Sequence, residues 1–195
     1  MGLTYSEDKH EYKVDGLVIP SVTQIINNIF PISDFISKET LEQAADFGRK
    51  VHKATELYDE DKLDIDNLHP SLLPYLNGWI KFKKDFGFQI LEIEQKYFHT
   101  LYKFAGKIDR VGIIRKDKIL SDIKSGIKIK THALQTAAYG LLYNQGKSKS
   151  EQIKKRMSVY LEENDYKIIS HENKTDEQVF LSCLTIYNYK KRGNK

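Results

Sequence analysis

The sequence predicts a mixed α/β fold of the α+β kind, with a mainly helical N-terminal portion over residues 1–88 and a sheet core over residues 89–195. Two observations predict it. Apolar residues before Gln89 recur at the helical spacing of three and four, whereas from Gln89 onward they alternate with polar residues, as in strands. A length of 195 residues also suits one domain with a substantial core. We therefore expect a single domain over residues 1–195.

The N-terminal portion begins with a predicted hairpin and a short helix. Residues 10–20 alternate around Asp15-Gly16, a dipeptide that is typical of a tight turn. Ser21 follows, and its side chain suits the N-cap of a helix over residues 22–30, which a proline ends.

Two longer helices follow, separated by an acidic loop. They are predicted to run from Ser37 or Thr40 to about Tyr58, and from Pro70 to about Phe86.

The C-terminal portion is predicted to contain three strands, a helix, two strands and a closing helix. The strands cover residues 89–99, 102–115, 116–124, 156–164 and 166–173, and the helices cover residues 130–145 and the segment that begins at Thr175 or Asp176. The basic tail over residues 190–195 is expected to fray.

The composition limits the class of protein. The net charge is +4, which permits a polyanionic partner without requiring one. Cys183 is the only cysteine, so a single chain can form neither a disulfide framework nor a cysteine-ligated cluster. The first residues contain no apolar stretch typical of a signal peptide, and no apolar run approaches the ~18 residues of a membrane span. These features favour a cytoplasmic protein that does not enter a membrane.

The chemistry-bearing residues cluster on two neighbouring predicted strands. Asp122 and Lys124 are two apart and share one face of their strand, and pairing with the preceding strand could bring Asp109 beside Asp122. Two such carboxylates repel each other unless a cation neutralises them, and Mg²⁺ prefers oxygen ligands, to which the Ile123 carbonyl could add another. Lys124 could then orient a water molecule or stabilise charge on a phosphate.

The same pattern has a simpler interpretation as a solvated strand face. In that case Asp122 and Lys124 form an exposed ion pair worth ~0–1 kcal/mol. The surroundings favour the catalytic interpretation. Gln135 and Tyr139 share one face of the next helix, as do His52 and Glu56 on an earlier one.

Taken together, these residues resemble the RecB-type members of the PD-(D/E)XK nuclease superfamily. The resemblance covers roughly residues 12–145, and the opening segment over residues 14–26 is similar to the start of phage exonucleases and mitochondrial genome maintenance exonucleases. The matching segments, in order, are Gly48–His52, Glu94, Gly106–Asp109, Asp122–Lys124 and Gln135–Tyr139.

The resemblance implies a restriction-endonuclease-like fold, in which helices flank a central mixed sheet with a metal site at its edge. It implies that Asp109 and Asp122 bind Mg²⁺ or Mn²⁺ with help from His52, and that Lys124 is the catalytic lysine. Glu94 fits the acidic position on the first strand, where it would tune Lys124 or bind metal through water, although Glu92 could replace it. The supporting or DNA-binding positions are Gln135, Tyr139, Glu56, Lys128 and Lys130.

Two further segments bear on the partners. The lysine-rich stretch over residues 147–156 could contact phosphates or form a solvated loop, and we hold both interpretations open. The stretch over residues 140–148 looks like a phosphate-binding loop, but it has five residues between its glycines where that motif needs four. We therefore expect no ATP chemistry, and the absence of a cysteine set predicts no iron–sulfur cluster.

The sequence thus predicts a Mg²⁺-dependent deoxyribonuclease, for which Mn²⁺ is also a plausible metal, that degrades DNA from an end with a preference for single strands. Two alternatives remain: a structure- or flap-specific endonuclease with the same site, and an inactive module that binds nucleic acid. No base-reading motif is evident, so sequence-specific cleavage is not expected.

Overall fold

A five-stranded mixed sheet lies at the centre of the protein. A computed structural model describes residues 2–6, 11–31 and 37–192, with the side chain of Lys38 excepted. The sheet is formed by β4 (Gln89–Phe98), β5 (Ala105–Ile114), β6 (Asp117–Lys124), β7 (Lys155–Glu162) and β8 (Asp165–Ser170), in that spatial order. Neighbouring strands are antiparallel except β6 and β7, which are parallel and are joined through helix α4 (Thr131–Asn144).

The N-terminal portion combines helices with a small second sheet. Strands β1 (Leu3–Ser6), β2 (Glu11–Val14) and β3 (Leu17–Ile19) form an antiparallel sheet, so the predicted hairpin gains a third strand. Helices α1 (Val22–Ile29), α2 (Lys38–Asp59) and α3 (Leu73–Phe86) follow, and α5 (Asp176–Arg192) closes the chain. The predicted fraying of the tail falls partly on residues 193–195, outside the described residues.

Several predicted boundaries were wrong, each for a local reason. Helix α3 begins at Leu73 and not at Pro70, because the Leu72 amide donates to the His69 carbonyl in a turn that precedes the helix. Strand β5 begins at Ala105 and not at residue 102, because Lys103 has a φ of +55° in the turn from β4. Such turn geometry is only weakly encoded in local composition.

The helices cover both faces of the central sheet. Val22, Ile25 and Phe180 of α1 and α5 pack with α4 against side chains of β5 and β6 that include Ile108 and Leu120. A second buried cluster includes Val51 of α2, Trp79 and Phe82 of α3, and Ile119 and Ile123 of β6. Leu120 and Ile123 point to opposite faces of β6, so each face of the sheet has its own apolar core.

No helix among residues 2–6, 11–31 and 37–192 is long and apolar enough to cross a membrane.

Candidate active site

The candidate site lies where β5 and β6 separate. Their backbone pairing ends at Arg110 opposite Ser121, and Asp109 and Asp122 are the next residues on the two strands. The Ile123 amide then donates to Asp109 Oδ2 over 2.8 Å. If β5 and β6 stayed paired, a backbone carbonyl would accept from the Ile123 amide; here the buried Asp109 carboxylate accepts instead. The divergence of the two strands leaves space beside both aspartates.

Helix α2 brings an imidazole to this opening. His52 Nδ1 is 3.6 Å from Asp109 Oδ2 and 3.8 Å from Glu94 Oε1. One ligand atom from each of the three residues lies within 4.8 Å of the other two. Burial alone would lower the pKa of His52, but the charges of Asp109 and Glu94 outweigh it and raise that pKa. The two carboxylates thus favour a positive charge at the position of His52.

The structure distinguishes between the two candidate glutamates. Glu94 lies in this cluster, whereas Glu92 accepts a hydrogen bond from the Tyr97 hydroxyl. Glu94 has a φ of +50°, a left-handed conformation that is uncommon for any residue with a Cβ, and the β4–β5 register also shifts between Ile90 and Glu92. Strained backbone of this kind is characteristic of functional sites.

Two cations surround the Glu94 carboxylate. Arg110 Nη1 donates to Glu94 Oε1 over 3.0 Å, and Lys107 Nζ lies 2.6 Å from Oε2. Burial would raise the pKa of Glu94, but its ion pairs with His52 and Lys107 lower it overall. Oε2 is buried, and the Lys107 ammonium is its one close cationic partner among the described residues. An imidazole and two carboxylates form a donor set that fits a divalent cation.

Asp122 and Lys124 form the second half of the site. Asp122 is fully buried, and its Oδ1 accepts from Lys124 Nζ over 2.9 Å. Burial, with a further contribution from Asp109, raises the pKa of Asp122 to about 6. Burial would lower the pKa of Lys124, but Asp122 and Asp109 outweigh it and raise the pKa, so Lys124 is an ammonium at neutral pH.

Helix α4 places Tyr139 over the same region. Gln135 Nε2 donates to the Tyr139 hydroxyl over 3.0 Å, and burial together with the charges of Asp109 and Asp122 raises the pKa of this phenol. The phenol therefore keeps its proton. Gly106 makes the approach possible, because a Cβ there would be 2.9 Å from Tyr139 Cε1.

The remaining predicted positions lie around the cluster. Glu56 pairs with Lys53 over 2.9 Å and contributes to the electrostatic environment of Lys107. Lys128 and Lys130 are exposed, and Lys128 Nζ lies 5.7 Å from the centre of the Tyr160 ring. The metal-ligand role assigned to the Ile123 carbonyl remains a prediction.

The lysine-rich stretch is partly structural. Arg156 donates to the Ala133 carbonyl and to Asp176, and Lys155 pairs with Asp117. These two residues thus tie β7 to α4, α5 and β6.

Sequence reasoning missed the residues behind the site. Arg110 is fully buried, and its Nε donates to the buried Asp59 over 2.7 Å while its Nη2 donates to Thr55. An arginine inside the otherwise apolar strand that follows Asp109 was the available signal. Ser158 bridges Asp122 and His171 from β7, and no local pattern marks that contact.

Comparison with known families agrees with this geometry. Residues 64–185 match the family model described as the PD-(D/E)XK nuclease superfamily. The match covers more than half of the chain and contains Glu94, Asp109, Asp122 and Lys124. This chain belongs to that superfamily. Members are nucleases that use divalent metal ions, which makes nucleic acid the substrate implied for this chain, and the mixed sheet flanked by helices is the restriction-endonuclease-like fold.

One solved structure of a similar protein agrees at the level of the fold. A protein from Eubacterium rectale named "Putative exonuclease" is 14% identical, has a TM-score of 0.50, and is matched over 86% of this chain and 71% of its own. The protein SSO0001 is 18% identical with a TM-score of 0.37, over 69% and 70% of the two chains. No curated protein matches the sequence.

Proposed function

We propose that this chain is a RecB-type, metal-dependent exonuclease that hydrolyses the phosphodiester bonds of DNA from an end, with Mg²⁺ as its usual metal and Mn²⁺ as a substitute. The observation that carries the proposal is the convergence of His52, Glu94 and Asp109 beside the buried pair of Asp122 and Lys124.

The residues divide into a metal-holding group and a phosphate-facing group. His52, Glu94 and Asp109 would hold the cation, with Asp122 and the Ile123 carbonyl as further oxygen ligands. A divalent cation, when bound, lowers the pKa of a water molecule and stabilises negative charge on the phosphate.

The chain's own cation acts on the reacting phosphate. Asp122 Oδ1 holds the Lys124 ammonium in place over 2.9 Å, so this group needs little reorganisation to donate to the attacking water or to a phosphate oxygen. The raised pKa of Lys124 suits a donor and not a general base. Tyr139, held by Gln135, offers a second donor at the same place.

The choice of an exonuclease rests on similarity. The opening segment of the sequence resembles phage exonucleases, and the E. rectale protein of similar fold carries the name of an exonuclease. The same resemblance supports DNA ends and single strands as substrates. Lys128 and Lys130 are exposed near the site and suit contacts with the phosphate backbone, which do not depend on sequence.

The test is cleavage of end-labelled single-stranded, duplex and circular DNA with Mg²⁺, Mn²⁺ or EDTA. Metal-dependent loss of linear DNA alone, abolished in Asp122→Ala, is the expected result. Asp117→Ala is the matched control, since Asp117 is an exposed aspartate at the start of the same strand. Cut circles would replace the proposal with an endonuclease, and salt-sensitive binding without cleavage would replace it with a binding module.

A further inference from the structure

The two cations on Glu94 differ in accessibility. Arg110 has no exposed side-chain surface and is fixed by Asp59, Thr55 and the Asp109 carbonyl, to which its Nη1 donates over 2.6 Å. The Lys107 side chain is 31% exposed, and Glu94 is its one carboxylate partner within ion-pair distance among the described residues. Arg110 is therefore a permanent counter-ion of Glu94, and Lys107 is one that can leave.

Lys107 also contacts the carboxylate that would hold the metal ion. Its ammonium lies 2.6 Å from Glu94 Oε2, whereas Oε1 accepts from Arg110 and is the oxygen 3.8 Å from His52 Nδ1. A divalent cation beside His52 and Asp109 and the ammonium of Lys107 repel each other if both remain close to this carboxylate. Occupation of the site by metal should thus weaken the contact between Lys107 and Glu94.

A displaced Lys107 has a natural new partner. A lysine carries its charge on a flexible four-carbon stem, so it can move to solvent without any change in the backbone. Lys107 lies two residues before Asp109 at the margin of the proposed site, where a phosphate group of the substrate would carry negative charge.

On the basis of the proposed function, we propose that Lys107 is an exchangeable counter-ion of Glu94. Lys107 neutralises this carboxylate until a divalent cation binds, and it then contacts a phosphate of the nucleic acid. Metal and nucleic acid would then favour each other's binding, because the metal frees the lysine for the phosphate and the phosphate keeps the lysine from Glu94. Such a coupling is reciprocal by thermodynamic necessity.

The first test is Mn²⁺ binding to the full chain without nucleic acid, measured by electron paramagnetic resonance and calorimetry. Lys107→Met removes the competing charge and is expected to bind Mn²⁺ about tenfold more tightly than wild type, since one nearby unit charge at the rim is worth about that factor. Lys107→Arg keeps the charge and should stay within about twofold of wild type.

Lys96 provides a matched control. It lies directly opposite Lys107 in the β4–β5 register, is exposed, and has its ammonium 5.0 Å from the centre of the Tyr5 ring. Lys96→Met should leave Mn²⁺ affinity unchanged. Tighter Mn²⁺ binding is a result that general damage to the fold would not produce.

The second test is the kinetics of oligonucleotide cleavage at saturating metal. Lys107→Met is expected to raise KM about tenfold and to leave kcat within about threefold, because the lost phosphate contact binds substrate without touching the scissile bond. An unchanged or weaker Mn²⁺ affinity in Lys107→Met would overturn the counter-ion exchange, and an unchanged KM would overturn the phosphate contact. A wild-type protein that binds no Mn²⁺ would instead overturn the proposed function itself.

Discussion

The Asp109 carboxylate accepts a hydrogen bond from the Ile123 amide across the gap between β5 and β6. This contact fixes one oxygen of a buried carboxylate while His52 lies 3.6 Å from the same atom. Asp109→Asn keeps an acceptor for the amide but removes the charge, so we expect at least a ~100-fold loss of cleavage and of Mn²⁺ affinity.

The same substitution separates function from stability. Because it relieves repulsion with Asp122 but also removes attraction to Lys124 and His52, Asp109→Asn should melt within a few degrees of the wild-type temperature when both are compared in EDTA. Asp117→Asn, on the exposed end of β6, is the control and should match wild type in both assays. A variant with wild-type Mn²⁺ affinity would remove Asp109 from the proposed ligand set.

Lys124 is expected to contribute to the rate and not to metal binding. Lys124→Met should lower kcat by about 100- to 1,000-fold, the typical effect of removing one donor to developing charge. Mn²⁺ affinity should be retained or increased, because a cation beside Asp122 is lost. Single-turnover kinetics with calorimetry measures both quantities, and Lys96→Met provides the exposed-lysine control. Loss of metal binding with an unchanged rate at saturating metal would contradict this role.

The alternation of β5 and β6 made part of this arrangement predictable. It placed Asp122 and Lys124 on one strand face and suggested that Asp109 lies beside Asp122, and the register puts these two aspartates directly after the last backbone pair. Ser21 likewise caps α1, where its side chain accepts from the Gln24 amide. Such features depend on local spacing, which a sequence shows directly.

Other features depend on geometry that spacing does not encode. Alternation gives Glu92 and Glu94 the same face, and only the left-handed backbone at Glu94 distinguishes them. The contacts of Arg110 with Asp59, and of Ser158 with His171, join residues that are 51 and 13 positions apart in sequence. These tertiary contacts form only when α2 and the β7–β8 hairpin pack against the sheet.

The buried pair of Asp59 and Arg110 should stabilise the fold. Asp59 has no exposed side-chain surface and accepts from Arg110, from Trp79 Nε1 and from Lys83. Asp59→Asn leaves the arginine partly uncompensated, so the free energy of unfolding in urea should fall by about 3–5 kcal/mol. Asp165→Asn breaks an exposed pair with Lys81 and should change the free energy of unfolding very little, because solvent screens these charges. Similar changes in the free energy of unfolding for the two variants would mean that the buried pair of Asp59 and Arg110 is dispensable.

The half-buried His132 should make the metal-free protein less stable in mild acid. Its ring nitrogen Nδ1 lies 2.6 Å from the Tyr160 hydroxyl, and burial, followed by the charges of Lys124 and His171, lowers its pKa to about 3. An unfolded histidine has a pKa of about 6.5, so below that pH the unfolded chain binds a proton that the folded protein excludes. The stability due to neutral His132 is therefore fully present above pH ~6.5 and is lost progressively as the pH falls toward 3.

Replacing this histidine isolates its contribution. His132→Gln retains a hydrogen-bonding side chain but cannot titrate, so its unfolding free energy should depend less on pH between 7 and 5, by up to ~1.4 kcal/mol per pH unit. Burial also lowers the pKa values of His99 and His171. Their contributions to the pH dependence of stability have the same sign as that of His132 and are present in both proteins, so they cancel in the comparison. His52, with its raised pKa, contributes with the opposite sign and cancels as well. Urea unfolding in EDTA at several pH values measures the difference, with the exposed His69→Gln as control. Parallel pH profiles for wild type and His132→Gln would show that the pKa of His132 is the same in the folded and unfolded protein.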